Sequence, residues 1–101
     1  MPDTQAALRA FANPGRRRAL RALTHEERTS GSLAALCGWS KPAASQHLKV
    51  LREAGLVDVR ADGNRRLYRA RSQGLAQLRE FLDEFWTDRL SVLEDEMRVP
   101  K

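Results

Sequence analysis

The stretch SLAALCGWSKPAASQHLKVLREAGLVDVRADGNRRLYRA, residues 32–70, decides the fold, because its apolar residues change period part-way along. Leu33, Leu36 and Cys37 recur at spacings of three and four, as do Ala44, Leu48 and Leu51. Each set makes an inward stripe on a short helix. The first helix is predicted over 31–37, with Ser30 as its N-cap and Gly38 as its stop. The second is predicted over 41–54, opened by Ser40 and Pro42. Gly55 reads as a left-handed stop of the Schellman type, with Leu56 reaching back to Leu51. From there the period becomes two: Val57 and Val59 alternate with Asp58 and Arg60, and a second run ends Leu67-Tyr68-Arg69-Ala70. The result is a β-hairpin over 56–70. A turn at Gly63-Asn64 pairs Val59 with Tyr68, Val57 with Ala70 and Asp58 with Arg69. A turn one residue earlier would set Arg60 against Arg65, which like charge disfavours.

Three more helices surround this centre. Residues 4–12 place Ala7, Leu8, Phe11 and Ala12 on one face, and Asn13-Pro14 ends the run. Pro14 then starts a helix over 14–23, whose buried edge is Ala19, Leu20 and Leu23. Ser72 is the expected N-cap of a long helix over 73–97, with Leu75, Leu78, Phe81, Leu82, Phe85, Trp86, Leu90, Leu93 and Met97 as an unusually wide apolar face. The expected fold is mostly α with a small β-hairpin, a winged helix-turn-helix of five helices plus a wing, in a single domain over 1–101. A chain of 101 residues, 42% apolar and 31% charged, fits one compact helical core.

Composition narrows the function. No apolar run is long enough to span a membrane and the first residues carry no signal pattern, so a cytoplasmic protein is expected. One cysteine and two histidines do not suffice for a four-ligand zinc site within one chain, and no metal or cofactor is expected. No Ser/His/Asp, Gly-rich phosphate or metal constellation of an enzyme is present. Residues 1–71 hold fourteen Lys/Arg against six Asp/Glu, a net of +8, whereas 72–101 hold four against seven, a net of −3. A basic segment of this kind favours an anionic partner.

Two short helices and a basic hairpin suit double-stranded DNA, because a helix fits the major groove while flanking cations neutralise phosphates. Ser40, Lys41, Ala43, Ser45, Gln46 and Lys49 occupy the outward surface of the 41–54 helix. There Gln46 can bond adenine, Lys41 guanine, and Ala43 can meet a thymine methyl. Arg60, Arg65 and Arg66 of the wing suit a phosphate rail or the narrow minor groove. The surplus apolar face of the last helix calls for a partner helix. Its candidate dimer interface is Leu78, Phe81, Phe85, Trp86, Leu90 and Leu93, joined by Leu8 and Phe11 of the first helix.

The run from Leu33 to Val57, together with Ala-Asn-Pro-Gly-Arg-Arg-Arg at 12–18 and Arg-Arg-Leu-Tyr-Arg at 65–69, resembles the ArsR/SmtB family of bacterial winged-helix transcriptional repressors. The resemblance covers about residues 5–97. It implies a homodimer through the first and last helices, sitting across an inverted-repeat operator. Many such proteins sense metal through a Cys-x-Cys box, but the matching stretch here, 27–32, holds neither cysteine nor histidine. Others bind zinc through Asp and His on the last helix, and 72–101 contains no histidine. Competing readings are a winged-helix protein-interaction module and a repressor with a non-standard metal or redox sensor. Arg16, Arg17 and Arg18 read equally well as a phosphate clamp or a solvated face. Cys37 reads as a small packed hydrophobe.

Overall fold

The computed structural model describes the backbone of residues 4–97 and the side chains of residues 4–85. The chain runs α1 (Thr4–Phe11), α2 (Pro14–Leu23), α3 (Ser30–Cys37), α4 (Lys41–Glu53), β1 (Val57–Asp62), β2 (Arg65–Ala70) and α5 (Ser72–Met97). This is a mostly helical winged helix-turn-helix. Helices α1 to α4 pack on one another and on the root of the hairpin around Leu33, Leu48, Leu51 and Leu56, the largest fully buried side chains. Helix α5 packs against α1, and its Leu78 joins this core at 4% exposed.

The caps show why the helices stop where they do. Thr29, not Ser30, caps α3: its Oγ1 accepts from the Ser32 N–H at 3.1 Å, so the helix starts one residue early. At the end of α3, Gly38 takes φ 68° and the Trp39 N–H donates to the Ala34 carbonyl at 2.9 Å. The end of α4 has the same form: Gly55 takes φ 76°, its N–H donates to Arg52 at 2.9 Å, and the Leu56 N–H donates to Leu51 at 3.0 Å. Both are Schellman turns, and both need a residue at ease with positive φ. Ser72 is the first helical residue of α5 and not its cap, since the Leu75 N–H donates to the Arg71 carbonyl at 3.1 Å.

The hairpin register agrees with the sequence argument: Val57 faces Ala70, Asp58 faces Arg69, and Val59 faces Tyr68. Gly63 has positive φ and Asn64 does not, the pattern of a type II′ turn, which suits the twist of two-residue hairpins. One pairing lies outside the period-two segments. Arg28 and Tyr68 exchange both backbone hydrogen bonds, at 3.0 and 2.8 Å, so the α2–α3 connection adds a one-residue third strand beside β2.

A backbone crossing joins the two ends of this assembly. Helix α5 passes the end of α4 so closely that a Cβ on Gly74 would lie 1.8 Å from the Gly55 carbonyl oxygen. That oxygen is main chain and cannot swing aside. We expect Gly74→Ala to lower unfolding free energy by about 3 kcal/mol. Gly31→Ala, where a Cβ would meet only the Thr29 hydroxyl at 3.9 Å, should be neutral or stabilising. Urea denaturation followed by circular dichroism of both variants checks this.

Candidate nucleic-acid interface

The left-handed turn at Gly38 aims the chain into α4, and Ser40 starts it: its Oγ accepts from the Ala43 N–H at 3.2 Å, with Pro42 in the first turn. Ser40 thus has a structural duty at the mouth of the helix. The stripe Ala44, Leu48 and Leu51 is buried, and that burial turns Lys41, Ser45, Gln46 and Lys49 to solvent; Ala43 is half-buried. Spacings of four place Lys41, Ser45 and Lys49 in one row, and Arg52 continues its line.

That row faces the wing. Ser45, Lys49, Arg52 and Glu53 of α4, with Arg66 and Tyr68 of β2, line an open groove of about 460 Å³ whose floor includes Leu48. Arg52 was absent from the sequence-based candidates. Its position seven residues beyond Ser45 was the available signal. Three cations beside a hydroxyl, with Glu53 as the lone opposing carboxylate in the lining, give the groove between helix and wing a net positive charge that can attract an anion.

The wing arginines do not act as one set. Successive strand residues point to opposite faces, so Arg66 shares the groove with α4 while Arg60 and Arg65 face away from it. On that outer side the Arg60 Nε and Nη2 donate to the two carboxylate oxygens of Glu27 at 2.7 and 2.8 Å. Arg65 donates to Asp62 at 3.0 Å. The Arg60 bond holds the Glu27 carboxyl below its usual range, with the Arg60 and Arg69 charges adding to it.

The Arg16 to Arg18 run is neither simply a clamp nor simply a solvated face. Arg16 donates to the Ala10 carbonyl at 2.8 Å and the Arg9 carbonyl at 3.1 Å, and Arg17 donates to the Phe11 carbonyl at 2.8 Å. Two positive side chains therefore satisfy the last carbonyls of α1, where the helix dipole is negative. Arg18 is exposed. Arg16 also donates to His47 Nδ1 at 3.2 Å. A guanidinium has no acceptor, so Nδ1 accepts and the neutral ring carries its proton on Nε2. His47 stacks on Trp39 with ring centroids 4.3 Å apart, and Trp39 lies over Gly15, where a Cβ would come within 3.1 Å of the indole. This cluster ties the end of α1 to the middle of α4. Burial raises the Cys37 thiol pKa, with Arg18 and Arg28 pulling the other way. The thiol lies 3.8 Å from the Gly15 carbonyl, in packing and not in a thiolate-stabilising site.

The candidate interface between copies divides as well. Leu78 must be removed from it, because within one chain it is already buried in the core. Leu8 and Phe11 pack half-buried against that core, while Phe81 at 41% and Phe85 at 55% stand exposed on α5. Trp86, Leu90 and Leu93 lie outside the described side chains.

A short helix with a polar outward row, a left-handed turn before it and a basic groove closed by a wing define a DNA-binding transcriptional regulator of the winged helix-turn-helix class. Comparison with known proteins agrees. A helix-turn-helix domain family matches residues 11–60. An HTH-type transcriptional regulator of Mycobacterium tuberculosis is 46% identical over 85 residues, 84% of this chain and 79% of that protein. A "probable mercury resistance operon repressor" of Streptomyces lividans is 33% identical over 100 residues, 98% of this chain and 80% of its own. The crystal structure of a "possible transcriptional regulator for arsenical resistance" superposes with a TM-score of 0.76 at 49% identity, covering 91% of this chain and 96% of that one. The chain belongs to the ArsR/SmtB family of transcriptional regulators.

The His47 site carries a pH signature. Burial first and the Arg16 charge second hold its pKa below the ordinary 6.5. The unfolded chain therefore binds the proton more readily, and this contribution to stability is present above pH 6.5 and lost as pH falls below it. Between about pH 7 and about pH 5 the wild type should lose more stability than His47→Gln, which has no group titrating there. Urea midpoints of both proteins across that range test the sign.

Proposed function

We propose that the protein is a homodimeric repressor that binds an inverted-repeat operator in the bacterial cytoplasm, with α4 reading bases and the wing clamping the backbone. The observation that carries this reading is the groove in which Lys49, Arg52 and Arg66 surround Ser45, beside the exposed Lys41 and Gln46. A single cationic groove of this shape follows one strand of a duplex. In the major groove, Gln46, Ser45 and Lys41 reach base edges, Ala43 meets a thymine methyl, and Ser40 stands beside them at the mouth of the helix. Lys49, Arg52 and Arg66 meet phosphates. Arg65 lies at the wing tip and reaches the backbone by releasing Asp62.

The dimer is supported by Phe81, Leu82 and Phe85, which expose contiguous apolar surface on α5 while α1 packs alongside. Burying such surface contributes about 25 cal/mol per Å². Pairing through α5 and α1 would set the two copies of α4 about 34 Å apart, one turn of DNA, and so favour an inverted repeat. Repression is the activity in the name of the Streptomyces lividans relative. A regulator seated over a promoter acts most simply by blocking it.

Two measurements decide between this reading and its rivals. Phe81→Glu combined with Phe85→Glu should yield a monomer in sedimentation, and a stable wild-type monomer at micromolar concentration would rule out the two-fold operator. Gln46→Ala should cost on the order of 1 to 3 kcal/mol on promoter DNA from upstream of the protein's own gene, and little on a random-sequence duplex. Arg66→Ala should weaken both DNAs and flatten the slope of log affinity against log salt by about one per subunit. Equal losses on both DNAs from Gln46→Ala would reverse the assignment of reader and clamp. A protein-interaction module would show no promoter preference in the wild type.

A further inference from the structure

The outer face of the wing is electrically balanced, although the hairpin as a whole is rich in arginine. Cross-strand register puts Asp58 opposite Arg69 and Asp62 opposite Arg65, the latter pair bonded at 3.0 Å. Arg60 lies opposite Leu67, which has no charge to offer, and its counter-charge comes instead from Glu27, outside the hairpin. Glu27 is not a chance neighbour. The next residue, Arg28, is bonded to Tyr68 through both its N–H and its carbonyl, so the carboxylate is stationed against the strand. The inner face differs, because there Arg66, Lys49 and Arg52 face the single carboxylate of Glu53.

We propose that Glu27 is a positioning residue that limits sequence-independent DNA affinity: by holding Arg60 in a two-pronged ion pair on the outer face of the wing, it withholds that charge from the DNA backbone. The proposal rests on the reading of the wing as a backbone clamp and deepens it. Phosphate neutralisation drives binding to any sequence, so each mobile cation near the duplex strengthens operator and unrelated DNA alike and steepens the salt dependence of both. Arg60 would be such a cation. Its side chain is 54% exposed, so a released guanidinium swings into solvent beside the wing without unburying apolar surface. Two parallel N–H···O bonds to one carboxylate restrain it far better than a single contact. The Arg60 contact keeps the Glu27 carboxyl ionised below its ordinary range, so the restraint persists through neutral and mildly acid pH.

The test is a double-mutant cycle on a random-sequence duplex, with salt titrations of the full chain. Glu27→Gln should raise affinity on the order of tenfold at about 0.1 M salt and steepen the log–log salt slope by about one per subunit. Arg60→Gln should leave both near wild type. Glu27→Gln combined with Arg60→Gln should return to wild type, because the gain acts through Arg60. Three outcomes overturn the proposal: no change of slope with Glu27→Gln; a gain that persists in the double variant, which is the effect of lost negative charge alone; or a loss with Arg60→Gln as large as that of Arg66→Ala, which makes Arg60 an ordinary phosphate contact. Arg66→Ala separates the two levels of the argument. If it leaves random-sequence binding unchanged, the clamp itself fails. If it weakens binding while Glu27→Gln changes nothing, only the role of Glu27 fails.

Discussion

The contact between Gly74 and the Gly55 carbonyl is the point on which the arrangement turns. Gly55 ends α4, and its left-handed conformation directs Leu56 into the core and the chain into β1. Fifteen residues of hairpin later the chain returns to the same place, where the Arg71 N–H donates to the Leu56 carbonyl at 2.8 Å and α5 starts across Gly55. The direction of α4, the root of the wing and the axis of α5 are therefore set at one crossing of two backbones. No side chain stands between them to take up a change, so a shift in any of the three elements moves the others.

Within that frame the arginines divide by duty. Arg16 and Arg17 neutralise the end of α1, Arg28 donates to Ser32 at 2.9 Å beside its bridge to β2, and Arg60 and Arg65 hold carboxylates on the outer wing. Three cations, Lys49, Arg52 and Arg66, come together where α4 and β2 face each other. The carboxylates of the wing and of residues 26–27 are thus taken up on its outer side, which leaves the inner groove with three cations against Glu53.

The sequence was most informative where a single residue type has a steric reason to be. Gly38 and Gly55 marked the helix stops, the like charges of Arg60 and Arg65 ruled out the competing register, and the apolar stripe of α4 left its polar surface outside by subtraction. It was least informative about partners distant along the chain. Nothing in the polar stretch 24–32 announces that Arg28 will pair with Tyr68, because a one-residue strand has no period to read. Strand alternation does separate Arg65 from Arg66, yet it does not say which acid will claim Arg60. Leu78 was assigned to a partner surface because α5 is apolar over so wide an arc; only the position of α1 against it shows which part of the arc is core. The cap of α3 fell to Thr29 and not Ser30 because both hydroxyls stand at the same entrance and one turn of backbone decides between them.

The type II′ turn leaves the wing tip open: nothing lies within 4 Å of where a Cβ on Gly63 would stand. Length can therefore change there without disturbing the core, but only in particular steps. One added pair of residues below the tip would exchange the faces of everything beyond it, sending Arg66 outward and Arg65 into the groove. Two added pairs would restore the pattern and carry it about 7 Å further from the core. Wings descended from this one are accordingly constrained by parity, and their reach over DNA is quantised by the pleat of the strand.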